Sequence, residues 1–216
     1  NQLTISSINV IASEDENITT AKDRPVLSKE LDALGVSEDF LIANRFEGKT
    51  KQTLLLPQQE GVVIALGLGD QPITAADARA TAATLWHSSK HLDSLTSSLP
   101  LSIAPDLGDE TALQAVVEGL LLASYRFDEL KGTPDAVPNL HRIDLLVADG
   151  VDSAAVLKKA EAVASAIALS RDLVNRPGGS LSATQLADEA MLVAENTGLE
   201  IEIWDKQRLV DEHCGG

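Results

Sequence analysis

The chain has 216 residues and a mass of 22.8 kDa, room for one large domain or for one domain and part of another. Apolar residues at 44% and charged residues at 23% are near the globular average, which excludes wholesale disorder. The formal net charge is −16, spread as −11 over residues 1–150 and −5 over 151–216, so there is no acidic tail, and binding to DNA or to an anionic membrane surface is disfavoured.

A strand is expected first, because Leu3 to Ala12 carries the β-branched run Ile5, Ile8, Val10 and Ile11. Its opening, Asn1-Gln2-Leu3, has neither the basic nor the apolar region of a signal peptide. Cys214 is the single cysteine, so no intrachain disulfide can form, and the expectation is a soluble cytoplasmic protein. A polar loop is expected from Ser13 to Arg24 and a short helix from Pro25 to Leu34, stopped at Gly35. Phe40 to Phe46 and Thr53 to Leu56 flank Glu47-Gly48-Lys49, which predicts a β-hairpin. Gly61 to Leu66 is apolar on both faces, as a central strand covered by helices is, and this predicts an α/β layer fold. The apolar run Gly61 to Gly69 is far short of the ~20 residues of a membrane span.

Thr74-Ala75-Ala76-Asp77 comes close to a capping box and opens a helix with Ala78, Ala82, Leu85, Ser89 and Leu92 on one face, ending before Pro100. Leu99 to Ile103 reads as a short strand. Asp109 caps a helix with the stripe Leu113, Val117, Leu120, Ser124 and Phe127, ended by Gly132-Thr133-Pro134. Ile143 to Ala148 is a second buried strand. From Asp152 or Ser153 a helix carrying Val156, Ala160, Val163, Ile167 and Val174 runs to Asn175, where Pro177 stops it. At about 36 Å it is long enough to join two domains. Ser182-x-x-Gln185 is a capping box for a helix ending near Gly198, followed by a strand, Leu199 to Trp204, and a helix from Asp205 to Glu212. One strand cannot satisfy its own backbone groups, so the chain is expected to stop inside a second domain, with boundaries at 1–150, 151–177 and 178–216.

Few residues offer chemistry. Gly67-Leu68-Gly69-Asp70 joins a strand to a helix and could bring backbone N–H groups to a phosphate, although the third glycine of a dinucleotide fingerprint is missing and Asp70 would repel the anion; a simple tight turn is the favoured reading. His87 and His91 have the i, i+4 spacing of a zinc helix but no third ligand, which favours a solvated or half-buried pair. His141 reads as structural, and Cys214 beside His213 as a buried thiol rather than a nucleophile. The acidic run Ser13 to Asn17 reads as solvated, and Asp128-Glu129 and Asp188-Glu189 as helix surface. Read from the residues alone, the chain offers no catalytic, cofactor-binding or metal-ligating residue.

The segment Ala168-Leu169-Ser170-Arg171-Asp172-Leu173-Val174-Asn175-Arg176-Pro177-Gly178-Gly179, with Leu181-Ser182-Ala183 after it, resembles the domain junction of the leucyl aminopeptidase family, the cytosol aminopeptidases. Gly119 to Asp128, with Tyr125 and Phe127, is similar to that family's G-x-x-L-x-x-Y-x-F helix, which closes here at Lys131. Gly179 stands where Asn is usual and Ala183 where Pro is common. The resemblance implies a macro-like N-terminal domain with a mixed sheet flanked by helices over 1–150, a linker helix over 151–177, and the start of a truncated catalytic domain over 178–216. It implies a hexamer that releases N-terminal residues from peptide substrates using two divalent metal ions, Mn or Zn. The metal ligands of that family include an Asn-Thr-Asp-Ala-Glu-Gly-Arg signature that does not occur here, so no metal is expected in this chain. The alternative is a stand-alone macro-like module that binds a nucleotide such as ADP-ribose at Gly67 to Asp70.

Overall fold

The computed structural model describes residues 7–13 (backbone), 34–59, 61–70, 72–133 and 136–214. Most of the loop expected before Arg24, the short helix expected from Pro25, and the closing Gly215-Gly216 lie outside them. The chain divides into two compact units, Asn1–Ala168 and Leu169–Gly216. In chain order the first holds β1 (Ser7–Ser13), α1 (Glu38–Ala43), β2 (Thr53–Pro57), β3 (Val62–Leu66), α2 (Ala75–Ser89), β4 (Ser94–Ser97), α3 (Leu99–Leu107), α4 (Asp109–Ser124), β5 (Arg142–Ala148) and most of α5 (Ser153–Asn175). The second holds the end of α5, then α6 (Ala183–Thr197) and α7 (Lys206–Asp211).

β1, β5 and β4 form a parallel sheet in that order, and β2 pairs antiparallel with β3. Parallel neighbours need a crossover, which α2, α3 and α4 provide. In β5, Ile143, Leu145 and Val147 are buried on one face, and on the other Asp144 is also buried and accepts from Nε of the exposed Arg142 at 3.1 Å. The main core lies between the first face and the helices. Leu113, Leu120 and Ile103 are sealed within it, each contributing about 2–3 kcal/mol by burial.

α2 begins at the predicted capping box. The Thr74 hydroxyl accepts from the Asp77 N–H at 3.2 Å, and the Asp77 carboxylate accepts from the Thr74 N–H at 3.1 Å. Ala78, Ala82 and Leu85, at spacings of four and three, face α4, whose buried stripe includes Leu113, Val117 and Leu120 as the sequence predicts. The two helices come so close that a Cβ on Gly119 would stand 2.5 Å from the Arg79 carbonyl oxygen. α5 buries Val156, Ala160, Ala164 and Ala168, a strict i, i+4 row of small side chains, and Asp152 caps it by accepting from the Ala155 N–H at 3.1 Å.

Four expectations for this unit are corrected. α4 ends at Ser124 and not at Gly132, so Phe127 and Asp128-Glu129, expected on that helix, lie beyond it. Phe40 to Ala43 belongs to α1, capped by Ser37, and not to a strand; the hairpin is made by β2 and β3. Leu99 to Ile103 is helical: Pro100 is tolerated in the first turn, and Leu99 and Ile103, four apart, are buried together. α2 stops at Ser89, ten residues before the predicted limit, which frees Ser94–Ser97 to pair with β5.

In the second unit the N–H groups of Ser180 and Leu181 both donate to the Pro177 carbonyl, at 2.8 and 3.0 Å, turning the chain tightly after α5. Arg176 pairs with Glu189 at 2.6 Å across that turn. The Ser182–Gln185 box opens α6, and Gly198, at φ 75°, closes it in the left-handed conformation. Leu199 to Trp204 is not a strand: among the described residues it has no partner strand. Asp205 caps α7, and the Arg208 guanidinium lies 4.7 Å from the Trp204 ring centroid while pairing with Glu202 at 2.6 Å.

Candidate functional site

The Gly67 to Asp70 turn does connect β3 to α2, but its two glycine amides are spent on the chain itself. The Gly67 N–H donates to the Gln52 carbonyl and the Gly69 N–H to the Gly48 carbonyl, each at 2.9 Å. The glycines are needed because another segment passes against them: a Cβ would stand 2.0 Å from the Lys49 carbonyl oxygen at Gly67 and 2.5 Å from the Thr50 hydroxyl oxygen at Gly69. The Gln52 side chain organises that segment, its Oε1 accepting from the N–H groups of Glu47 and Lys49 at 2.9 and 3.0 Å. Lys49 pairs with Glu47, whose hydrogen bond and charge hold the ammonium pKa above its ordinary value. This is a brace between a loop and a turn, in which both glycine N–H groups are already bonded.

The histidines do not converge. His87 is exposed in the last turn of α2, and His91 is exposed beyond the helix end, so the two do not share a helix face. His141 Nδ1 is bonded to the Asn139 carbonyl at 2.9 Å. Cys214, expected as a buried thiol, is exposed, because the elements that follow α6 bury little. Among the described residues no three His, Cys, Asp or Glu side chains come together as a metal site.

One ionic group was not singled out from the sequence. Glu118, whose side chain is 3% exposed, accepts from Arg79 Nε at 2.7 Å and from Gln114 at 2.6 Å. A carboxylate on the apolar face of a helix is the signal that finds it. Both of its partners lie on the packed helices α2 and α4, which makes it a clamp between them rather than a reactive group. A cavity of about 680 Å³ lies between β3 and β4, lined by apolar residues such as Ile64, Leu66, Leu85 and Leu95 and by the segment 93–98, with Asp93 the one ionisable residue among the described residues that line it.

Known proteins resemble the whole of this arrangement. Residues 10–134 match the family model described as the cytosol aminopeptidase family, N-terminal domain. A probable cytosol aminopeptidase of Syntrophotalea carbinolica is 37% identical over 213 residues, covering 89% of this chain and 41% of its own. One of Rhodococcus jostii is 30% identical, covering 82% of this chain and 36% of its own. Among solved structures, the bottromycin maturation enzyme BotP superposes with a TM-score of 0.68 at 27% identity, covering 82% of this chain and 38% of that one. A mutant of tomato leucine aminopeptidase superposes with a TM-score of 0.75 at 20% identity over 95% of this chain, a likeness of fold. The chain spans about two fifths of the length of the curated relatives it matches. The motifs around Gly119 and Asn175, the matched N-terminal domain and the shared fold agree: the chain belongs to the cytosol aminopeptidase family and corresponds to its N-terminal portion.

Proposed function

We propose that this chain is the N-terminal, non-catalytic portion of a cytoplasmic leucyl aminopeptidase, a metal-dependent enzyme that removes N-terminal residues from peptides. In this reading residues 1–150 form a macro-like domain, 151–177 a linker helix and 178–216 the opening of the catalytic domain, and the first part serves assembly of a hexamer or access to the active site. The observation that carries it is the 37% identity that runs through 89% of this chain but through 41% of a relative described as an aminopeptidase. Exposed apolar side chains from Leu186 to Val210, including Met191, Ile203 and Trp204, support it, since a catalytic domain's own interior would cover them. The donor set described here does not fit the Mn or Zn ions of such an enzyme, so no step through a metal is assigned to these residues. The bottromycin enzyme was solved in complex with Mn, which supports metal dependence for the full-length protein.

The nucleotide-binding alternative is not favoured, because the glycine N–H groups it would use are already bonded. The test is an assay with leucine p-nitroanilide and Mn²⁺. The chain alone is expected to give the blank rate, and its fusion to the C-terminal part of a curated relative to give turnover above it. Turnover by the chain alone, or a silent but folded fusion, overturns the reading.

A further inference from the structure

α6 is started and stopped by its own residues. The Ser182 hydroxyl accepts from the Gln185 N–H at 3.3 Å, Gln185 Oε1 accepts from the Ser182 N–H at 2.8 Å, and Gly198 closes the far end. The helix therefore keeps its caps whichever way it points. Nor does packing fix its direction, because Ala194 is its one buried residue, while Leu186 and Leu192 are 48% and 53% exposed.

The residues that lead into α6 contain two glycines that no steric reason explains. Neither Gly178 nor Gly179 has a positive φ, and beyond its chain neighbours a Cβ on either would meet nothing within 4 Å. Gly67 and Gly119 differ, since another segment passes against each of them. What glycine supplies at 178 and 179 is backbone freedom. The turn closes on one atom: the Pro177 carbonyl oxygen accepts from the Ser180 and Leu181 N–H groups and from the Ser180 hydroxyl, at 2.8, 3.0 and 3.1 Å. Across it Arg176, directly after α5, meets Glu189 of α6 at 2.6 Å, with the two side chains 24% and 25% exposed. A pair so covered is screened less than one on the open surface.

We propose that residues 177–180 are a hinge and that the Arg176–Glu189 pair is the latch that holds it shut, fixing the direction in which α6 leaves the end of α5. Hinge and latch both lie within the second compact unit, Leu169–Gly216. If α6 opens a catalytic domain, as proposed above, the latch aims that domain's first helix before the rest packs on it. The latch itself does not rest on that reading.

The test is a distance measurement by double electron–electron resonance on the 216-residue chain carrying Cys214→Ser. Spin labels are placed at Ser170→Cys on α5 and Glu195→Cys on α6, both exposed positions. With the pair intact, one narrow distance distribution is expected. Glu189→Gln, of the same shape without the charge, is expected to at least double its width, and the reversed pair Arg176→Glu, Glu189→Arg to restore it. Adding Gly178→Ala and Gly179→Ala to Glu189→Gln is expected to remove at least half of the added width, since alanine restricts the backbone. A broad distribution with the pair intact, no change on Glu189→Gln, or a reversed pair as broad as Glu189→Gln overturns the latch. A width that the two alanines leave unchanged overturns the hinge. Circular dichroism separates direction from folding: Glu189→Gln is expected to keep the parent's helix content, and a loss of helix overturns the proposal.

Discussion

At Gly119 two opposing effects can be weighed. An alanine there would gain up to about 1 kcal/mol of helix propensity. Its Cβ, however, would stand 2.5 Å from the Arg79 carbonyl oxygen and 2.8 Å from the Ala82 Cβ, and backbone cannot yield as a flexible side chain can. Overpacking of this kind costs about 1–3 kcal/mol, so Gly119→Ala is expected to lower stability by about 2 kcal/mol, read as a lower urea midpoint with an unchanged slope. The opposite sign is expected one helix away. Thr81 is 1% exposed, and its hydroxyl oxygen has no hydrogen-bond partner. Thr81→Val keeps the volume and removes the orphaned group, which should raise stability by about 1 kcal/mol in the same titration; a loss would mean that the hydroxyl is bonded.

Among the elements, the capping boxes are the most legible features, because each is written in four consecutive residues. At the first, hydrogen bonds from the Thr74 hydroxyl and then from the Thr74 N–H hold the Asp77 carboxyl below its ordinary pKa of 3.8. A depressed folded-state pKa contributes stability that is present above the unfolded value and is lost as pH falls through the folded one. Asp77→Asn is therefore expected to lower the melting temperature at pH 7, and the gap between variant and parent to narrow below about pH 4, where the parent carboxyl protonates. A gap of constant size at pH 7 and pH 3 would show that the charge plays no part. Elements fixed by distant partners were less legible. The Leu99 to Ile103 run has the residues of a strand, and only its burial under α4 and the core makes it the helix α3. Ser94–Ser97 has no strand signal of its own and becomes one through the ladder offered by β5. Leu199 to Trp204 has the signal and lacks the ladder. The same limit governed the candidate site. The glycine turn could be read from Gly67 and Gly69, but the carbonyls that occupy their two amides, on Gln52 and Gly48, lie well upstream in the chain.

Across the whole molecule, charge and apolar exposure work in opposite directions. A formal net charge of −16 keeps chains apart in solution. Against it, Leu199, Ile201 and Ile203 are 65%, 44% and 46% exposed in the last part of the chain, close to one another in sequence and beside the half-covered Trp204. Side chains without packing partners contribute no folding energy, while they remain free to bind an apolar dye or a covering surface. The double variant Ile201→Glu, Ile203→Glu is therefore expected to keep its stability within about 0.5 kcal/mol and to lose at least half of the parent's fluorescence with anilinonaphthalene sulfonate. A cooperative loss of stability instead would show that these isoleucines already have a partner within the chain. Retained stability with reduced dye binding is what a segment awaiting the rest of a catalytic domain should give, because its apolar face then belongs to an interior that these residues alone do not form.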